Sequence, residues 1–173
     1  MVQRNAFAAL DLLIVDDNAH MRQLIKTVLR AAGVHRIREA GDGKEALELL
    51  AVRPADVILV DHLMAPMDGV EFVRRLRRDP NSPAPFARVI MVTGYGEKRH
   101  VTAARDNGAD EFLVKPITAV ALMRRIEAVI ARGRAFIETD QFLGPDRRRR
   151  LSSEPPAQER RRQDEITLPD DAA

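Results

Sequence analysis

The sequence predicts an α/β protein: a doubly wound parallel sheet of five strands with helices on both faces. Two observations carry this. Short apolar runs recur at 12–15, 57–60, 89–92 and 112–114, and stretches with helical apolar spacing lie between them. Runs that are apolar throughout, without alternation, suit strands buried on both faces, as parallel sheets require. Strand and helix alternate five times along the chain, and right-handed crossovers leave few ways to wind it.

The elements follow in order. After the first apolar run, residues 19–32 place Met21, Leu24, Ile25, Val28 and Leu29 at helical spacing, with Asn18 as N-cap and Gly33 as stop. Residues 35–39 form a weak strand. Residues 44–52 form a short helix on Ala46, Leu47, Leu49 and Leu50, and residues 68–78 another with Val70, Phe72, Val73 and Leu76 inward. The proline-rich 79–85 stretch is a loop. Residues 96–107 are small and polar, hence a thinly anchored helix, and 118–131 is amphipathic through Val120, Leu122, Met123, Ile126, Val129 and Ile130.

Composition narrows the class. The chain has 173 residues, no Cys and a net charge of +2, which excludes a disulfide framework and a Cys-held metal and gives no case for nucleic acid. The four His residues show no close ligand spacing and are expected at surfaces or turns. No apolar stretch approaches the roughly 20 residues of a membrane span, and Asp11 breaks any signal-like run near the N-terminus. A soluble cytoplasmic protein is expected. The domain boundary falls near residue 132, giving domain 1–132 and a largely irregular, Arg-rich tail over 133–173. There eight Arg meet nine Asp and Glu, and apolar periodicity fades.

Chemistry gathers where the apolar runs stop. Asp16 and Asp17 follow the first, Asp61 the second, Thr93 the third and Lys115 the fourth. Ligands of an open α/β sheet bind beyond the carboxyl ends of its strands, so the five side chains are expected to share one crevice. Three carboxylates there need a counter-charge, which suits Mg²⁺. Lys115 and Thr93 suit phosphoryl oxygens, and an Asp carboxylate can attack phosphorus to form an acyl phosphate.

Asp16-Asp17, the run from Asp61 to Gly69, Thr93-Gly94-Tyr95-Gly96 and Lys115-Pro116 resemble the receiver domain of two-component response regulators. The resemblance covers residues 10–131. It implies a flavodoxin-like fold with strand order 2-1-3-4-5. It also implies Asp61 as phosphoacceptor, with Asp16, Asp17, Asp61 and the Leu63 carbonyl around Mg²⁺ and Asp17 as the direct ligand. Thr93 and Lys115 would contact the phosphoryl oxygens, Phe112 would be the switch aromatic, and Lys115-Pro116 a cis peptide. The implied partners are a sensor histidine kinase or a histidine phosphotransfer protein, and a downstream protein target. Such a protein is a signalling phosphoacceptor and not a turnover enzyme. Phosphorylation would remodel the face built by the 96–107 helix, the fifth strand and the 118–131 helix. One departure is the loop after the acceptor, where Ala65 stands at the family's usual Pro position and Pro66 follows. Leu63 and Tyr95 are large and would shield an acyl phosphate from water.

The whole chain is also similar to stand-alone receivers of α-proteobacteria that end in Phe-x-Gly-Pro-Asp-Arg-Arg-Arg, here Phe142 to Arg149. Phe136, Ile137, Phe142 and Leu143 would anchor this tail on the domain or on a partner, and Gly144-Pro145 would present Arg147–Arg150. The tail lacks the helical periodicity of a DNA reader, so sequence-specific DNA binding is not expected. Two rival readings exist. A phosphohydrolase of the haloacid-dehalogenase type would need an acid where Asn18 stands, and a binding module would use the arginines on nucleic acid or membrane.

Overall fold

The computed structural model describes residues 7–94, 107–131, 136–139 and 142–145. The elements are β1 (Asp11–Val15), α1 (Ala19–Ala31), β2 (Arg36–Ala40), α2 (Gly43–Val52), β3 (Val57–Asp61), α3 (Gly69–Arg78), β4 (Arg88–Thr93), β5 (Glu111–Val114), α4 (Ala119–Ala131), β6 (Phe136–Thr139) and β7 (Phe142–Pro145). The first five strands pair in parallel in the order β2-β1-β3-β4-β5, as the sequence predicts. The expected 96–107 helix, except for Asn107, lies outside the described residues. So do Tyr95 and the Arg147–Arg150 run.

Each central strand is buried on both faces because its alternate side chains enter two separate cores. Leu13, Val15, Ile58, Val60, Val89 and Met91 pack with Ala46 and Leu50 of α2 and Phe72, Val73 and Leu76 of α3. Leu12, Ile14, Val57, Leu59, Ile90, Val92 and Leu113 pack with Ile25 and Leu29 of α1 and Leu122, Ile126 and Val129 of α4. This is the two-sided covering that wholly apolar runs require. Three apolar residues expected on inner faces, Leu24, Val120 and Ile130, are instead substantially exposed. These three lie outside the core that α1 and α4 form with the sheet.

Helix starts are fixed by short polar side chains. The Asn18 side-chain oxygen Oδ1 accepts from the N–H groups of His20 (3.0 Å) and Met21 (3.2 Å). Asp42 does the same for Lys44 and Glu45, and Asp68 for Glu71. Gly33 ends α1 with φ of 94°, a left-handed conformation that favours glycine.

The amino ends of the strands are tied by ion pairs between residues far apart in sequence. Asp11 is held by Arg38 (2.9 Å) and Arg53 (2.8 Å). Asp110 accepts from the Val89 N–H (2.9 Å) and from Arg88 (3.0 Å), with the buried Arg77 at 3.4 Å. Arg77 also donates to the carbonyls of Pro85 (2.6 Å), Ala87 (2.7 Å) and Gly108 (3.2 Å). Burial pushes its guanidinium down to about 10, against the opposing pull of Asp110.

Within the stretch expected to be largely irregular, β6 and β7 form an antiparallel ribbon, Phe136 opposite Pro145 and Thr139 opposite Phe142. β7 lies against α3. The Phe136 ring meets Phe86 edge to face at 5.3 Å, with the Arg77 and Arg88 guanidiniums each 5.0 Å from its centre. Of the two docking surfaces the sequence leaves open for the tail, Phe136 uses this domain.

Candidate functional site at the carboxyl ends of the strands

Parallel pairing brings the ends of β1, β3, β4 and β5 to one edge. Val15 pairs with Val60, Asp61 with Val92, and Thr93 with Val114, so the residues that follow emerge side by side. The backbone continues the ladder past the strands. The Asp16 N–H donates to the Ala40 carbonyl (3.2 Å), that of His62 to Val92 (2.8 Å) and that of Lys115 to Thr93 (2.8 Å). A parallel sheet therefore delivers the expected acids and lysine together because of register, not because of loops.

Carboxylate oxygens of Asp16, Asp17 and Asp61 lie within 4.8 Å of one another. Asp16 and Asp61 are buried, while Asp17 is exposed to solvent. Lys115 Nζ stands 2.9 Å from Asp61 Oδ1 and 3.7 Å from Asp16 Oδ2. Thr93 is buried at the end of β4, and Phe112 is half-buried at the edge of the core formed with α2 and α3. Lys115-Pro116 is cis as expected, and Ala65-Pro66 is cis as well. The side chain of Leu63, expected to shield an acyl phosphate from water, is exposed.

The electrostatics are unbalanced. Burial raises the Asp16 carboxyl above its ordinary value of 3.8. The Asn18 N–H and Lys115 oppose this, and the neighbouring Asp61 and Asp17 add to it. Its Oδ1 accepts from the Asn18 N–H (2.8 Å), but Oδ2 is buried without a hydrogen bond. An orphaned buried carboxylate oxygen is costly unless something arrives to use it. With Asp17 and Asp61 beside it, this makes a set of three carboxylates that fits a hard divalent cation such as Mg²⁺, which favours carboxylates and water.

Two supports carry no role in the sequence reading. Gly69 opens α3 where its N–H donates to the His62 carbonyl (3.0 Å), and a Cβ there would stand 2.2 Å from the Asp61 carbonyl oxygen. Only glycine lets α3 start so close to Asp61. Arg22, in the first turns of α1, donates from Nη1 to the Asp16 carbonyl (2.7 Å). No periodicity signals that contact.

Comparison with known proteins gives the same picture. A model of the response regulator receiver domain matches residues 12–127, a span holding every site residue above. The chain is 34% identical over 117 residues to a probable chemotaxis protein CheY of Rhizobium etli, covering 68% of this chain and 89% of that protein. It is 31% identical over 121 residues to chemotaxis protein CheY-3 of Vibrio cholerae, covering 70% and 92%. Among solved structures, chemotaxis protein CheY4 of Vibrio cholerae aligns with a TM-score of 0.64 at 32% identity, over 69% of this chain and 98% of that one. A response regulator of Chloroflexus aurantiacus aligns at 0.66 and 31%, over 71% and 98%. With sheet order, strand-end acids and lysine all in agreement, the chain belongs to the response regulator receiver domain family.

Proposed function

We propose that the protein accepts a phosphoryl group on Asp61 and thereby switches a surface that binds another protein. The observation that supports this most directly is Lys115 Nζ at 2.9 Å from Asp61 within a cluster of three strand-end carboxylates. The Asp61 carboxylate oxygen attacks phosphorus, the bond from phosphorus to the donor breaks, and the donor keeps that electron pair. The product is an acyl phosphate. Asp17 and Asp61 would hold Mg²⁺, with Asp16 and the Leu63 carbonyl completing its surroundings. The bound ion would neutralise charge building on the phosphoryl oxygens. Lys115 then turns from Asp61 to a phosphoryl oxygen, and the Thr93 hydroxyl donates to another. Phe112 follows Thr93, and the face containing β5 and α4 is remodelled.

On this reading the donor is a histidine kinase or a histidine phosphotransfer protein, and the receiver domain spans 1–132. The 133–173 tail is an interaction segment anchored by Phe136. The phosphohydrolase alternative lacks its second acid, because Asn18 stands there and is spent capping α1.

Asp61→Asn is the test. The variant is expected to keep the fold and to lose all labelling by radioactive acetyl phosphate, read by gel and by mass spectrometry. Wild-type labelling of the variant would sink the assignment.

A further inference from the structure

Arg22 has no part in the reading above, yet it touches the metal-facing backbone directly. Its Nη1 donates to the Asp16 carbonyl at 2.7 Å, and this carbonyl belongs to the peptide joining Asp16 to Asp17. The N–H of Asp16 is already fixed by Ala40 on β2, and its Oδ1 by the N–H of Asn18. The peptide before Asp16 and one Asp16 carboxylate oxygen are thus fixed, and Arg22 restrains the next peptide plane, which lies between the two carboxylates, from its carbonyl side. The arginine has a charge partner. Glu39 on β2 stands 3.6 Å from its Nε through Oε2, an ion pair too long for a hydrogen bond, so the buried Nε makes none, while the other Glu39 oxygen pairs with Lys26 one turn along α1. Four-fifths of the Arg22 side chain is shielded from solvent, so its position is restricted by packing as well as charge.

We propose that Arg22, with Glu39 as its charge partner, is a positioning residue that sets the direction of Asp16 and Asp17 for a divalent cation. The proposal rests on the metal reading of the site. Partners that orient metal ligands typically contribute about 10–100-fold to affinity when removed. The guanidinium suits the task because its planar donors fix direction, whereas a lysine ammonium at the same place gives charge without a fixed plane.

The experiment titrates Mg²⁺ into the full chain by calorimetry, for wild type, Arg22→Met, Arg22→Lys, Glu39→Gln, the Arg22→Met/Glu39→Gln double variant and Asp17→Ala. Arg22→Met is expected to raise the Mg²⁺ Kd about 10-fold, the lower end of that range. The Mg²⁺ midpoint for acetyl phosphate uptake should move by the same factor. Arg22→Lys should fall between Arg22→Met and wild type. Glu39→Gln should weaken binding less than Arg22→Met and add little to it in the double variant, since both act through one contact. A wild-type Kd in Arg22→Met, with binding lost in Asp17→Ala, would overturn the proposal and leave the site reading standing. A wild-type Kd in Asp17→Ala would instead bring down the site reading. Should Arg22→Met fail to fold, unchanged affinity in both Arg22→Lys and Glu39→Gln would overturn the proposal.

Discussion

At the amino ends of the strands, Asp11 is met by two arginines, and Asp110 by two arginines and a backbone N–H. At the carboxyl ends, Asp16, Asp17 and Asp61 converge within 4.8 Å while one lysine serves both Asp16 and Asp61. The same residue type is thus saturated at one pole and left short of partners at the other. Saturated carboxylates pin segments together and serve the fold. Undersaturated ones cost stability, and a fold retains such a cost where a ligand will supply what is missing. The difference separates acids that serve the fold from acids that a ligand would complete, without reference to any motif.

Three substitutions test that contrast. The largest effect is expected at the saturated pole. Asp110→Ala strips the buried Arg77 of its carboxylate and should destabilise the fold by about 3–5 kcal/mol, read by urea unfolding. A change within error would mean that the carbonyls of Pro85, Ala87 and Gly108 suffice for Arg77.

The opposite sign is expected at the other pole. Asp16 has a raised folded-state carboxyl, so the folded chain holds its proton more tightly than the unfolded chain. Stability of the metal-free protein then falls as pH climbs from the ordinary 3.8 through the raised value, and stays lowered above it. Asp16→Asn keeps an acceptor for the Asn18 N–H and removes the charge. It should stabilise the metal-free protein at neutral pH by about 1–3 kcal/mol, with the gain vanishing in acid. A variant less stable than wild type at pH 7 would show that Lys115 already satisfies Asp16.

The smallest effect is expected from the ribbon. Truncation after Arg132, or Phe136→Ala, removes an aromatic ring that two guanidiniums and Phe86 contact. About 1–2 kcal/mol should be lost, with phosphoryl uptake by Asp61 near normal. Failure of the truncated chain to fold would make the ribbon part of the domain's core.

The sheet was legible because its strands are buried on both faces and so read as unbroken apolar runs. The site was legible for the same reason, since Asp16, Asp61, Thr93 and Lys115 each stand at the end of such a run. β2 was the faintest strand: it lies at the sheet edge, and Arg-Ile-Arg-Glu-Ala alternates too weakly to mark its bounds. Arg77 could not be read at all. Its partner Asp110 is 33 residues away, and on α3 it sits among exposed arginines with nothing to mark it as buried. Arg22 was hidden likewise, because a side chain bonding a backbone carbonyl leaves no pattern in residue types. The ribbon has strands of only four residues, too short for a period to show.

The loop between Asp61 and α3 is closed at its base by the Gly69 N–H on the His62 carbonyl, and Asp68 caps the helix beyond it. Inside, Met64 is buried while Leu63, Ala65 and Pro66 face solvent. The loop is thus a frame with pinned ends and a free rim. Substitutions along that rim can alter what approaches Asp61 while Asp61 keeps its place. With Asp61 as the proposed phosphoacceptor, such a frame would let one fold acquire new partners and new phosphoryl lifetimes by small steps, and Ala65-Pro66 leaves the closure at Gly69 intact.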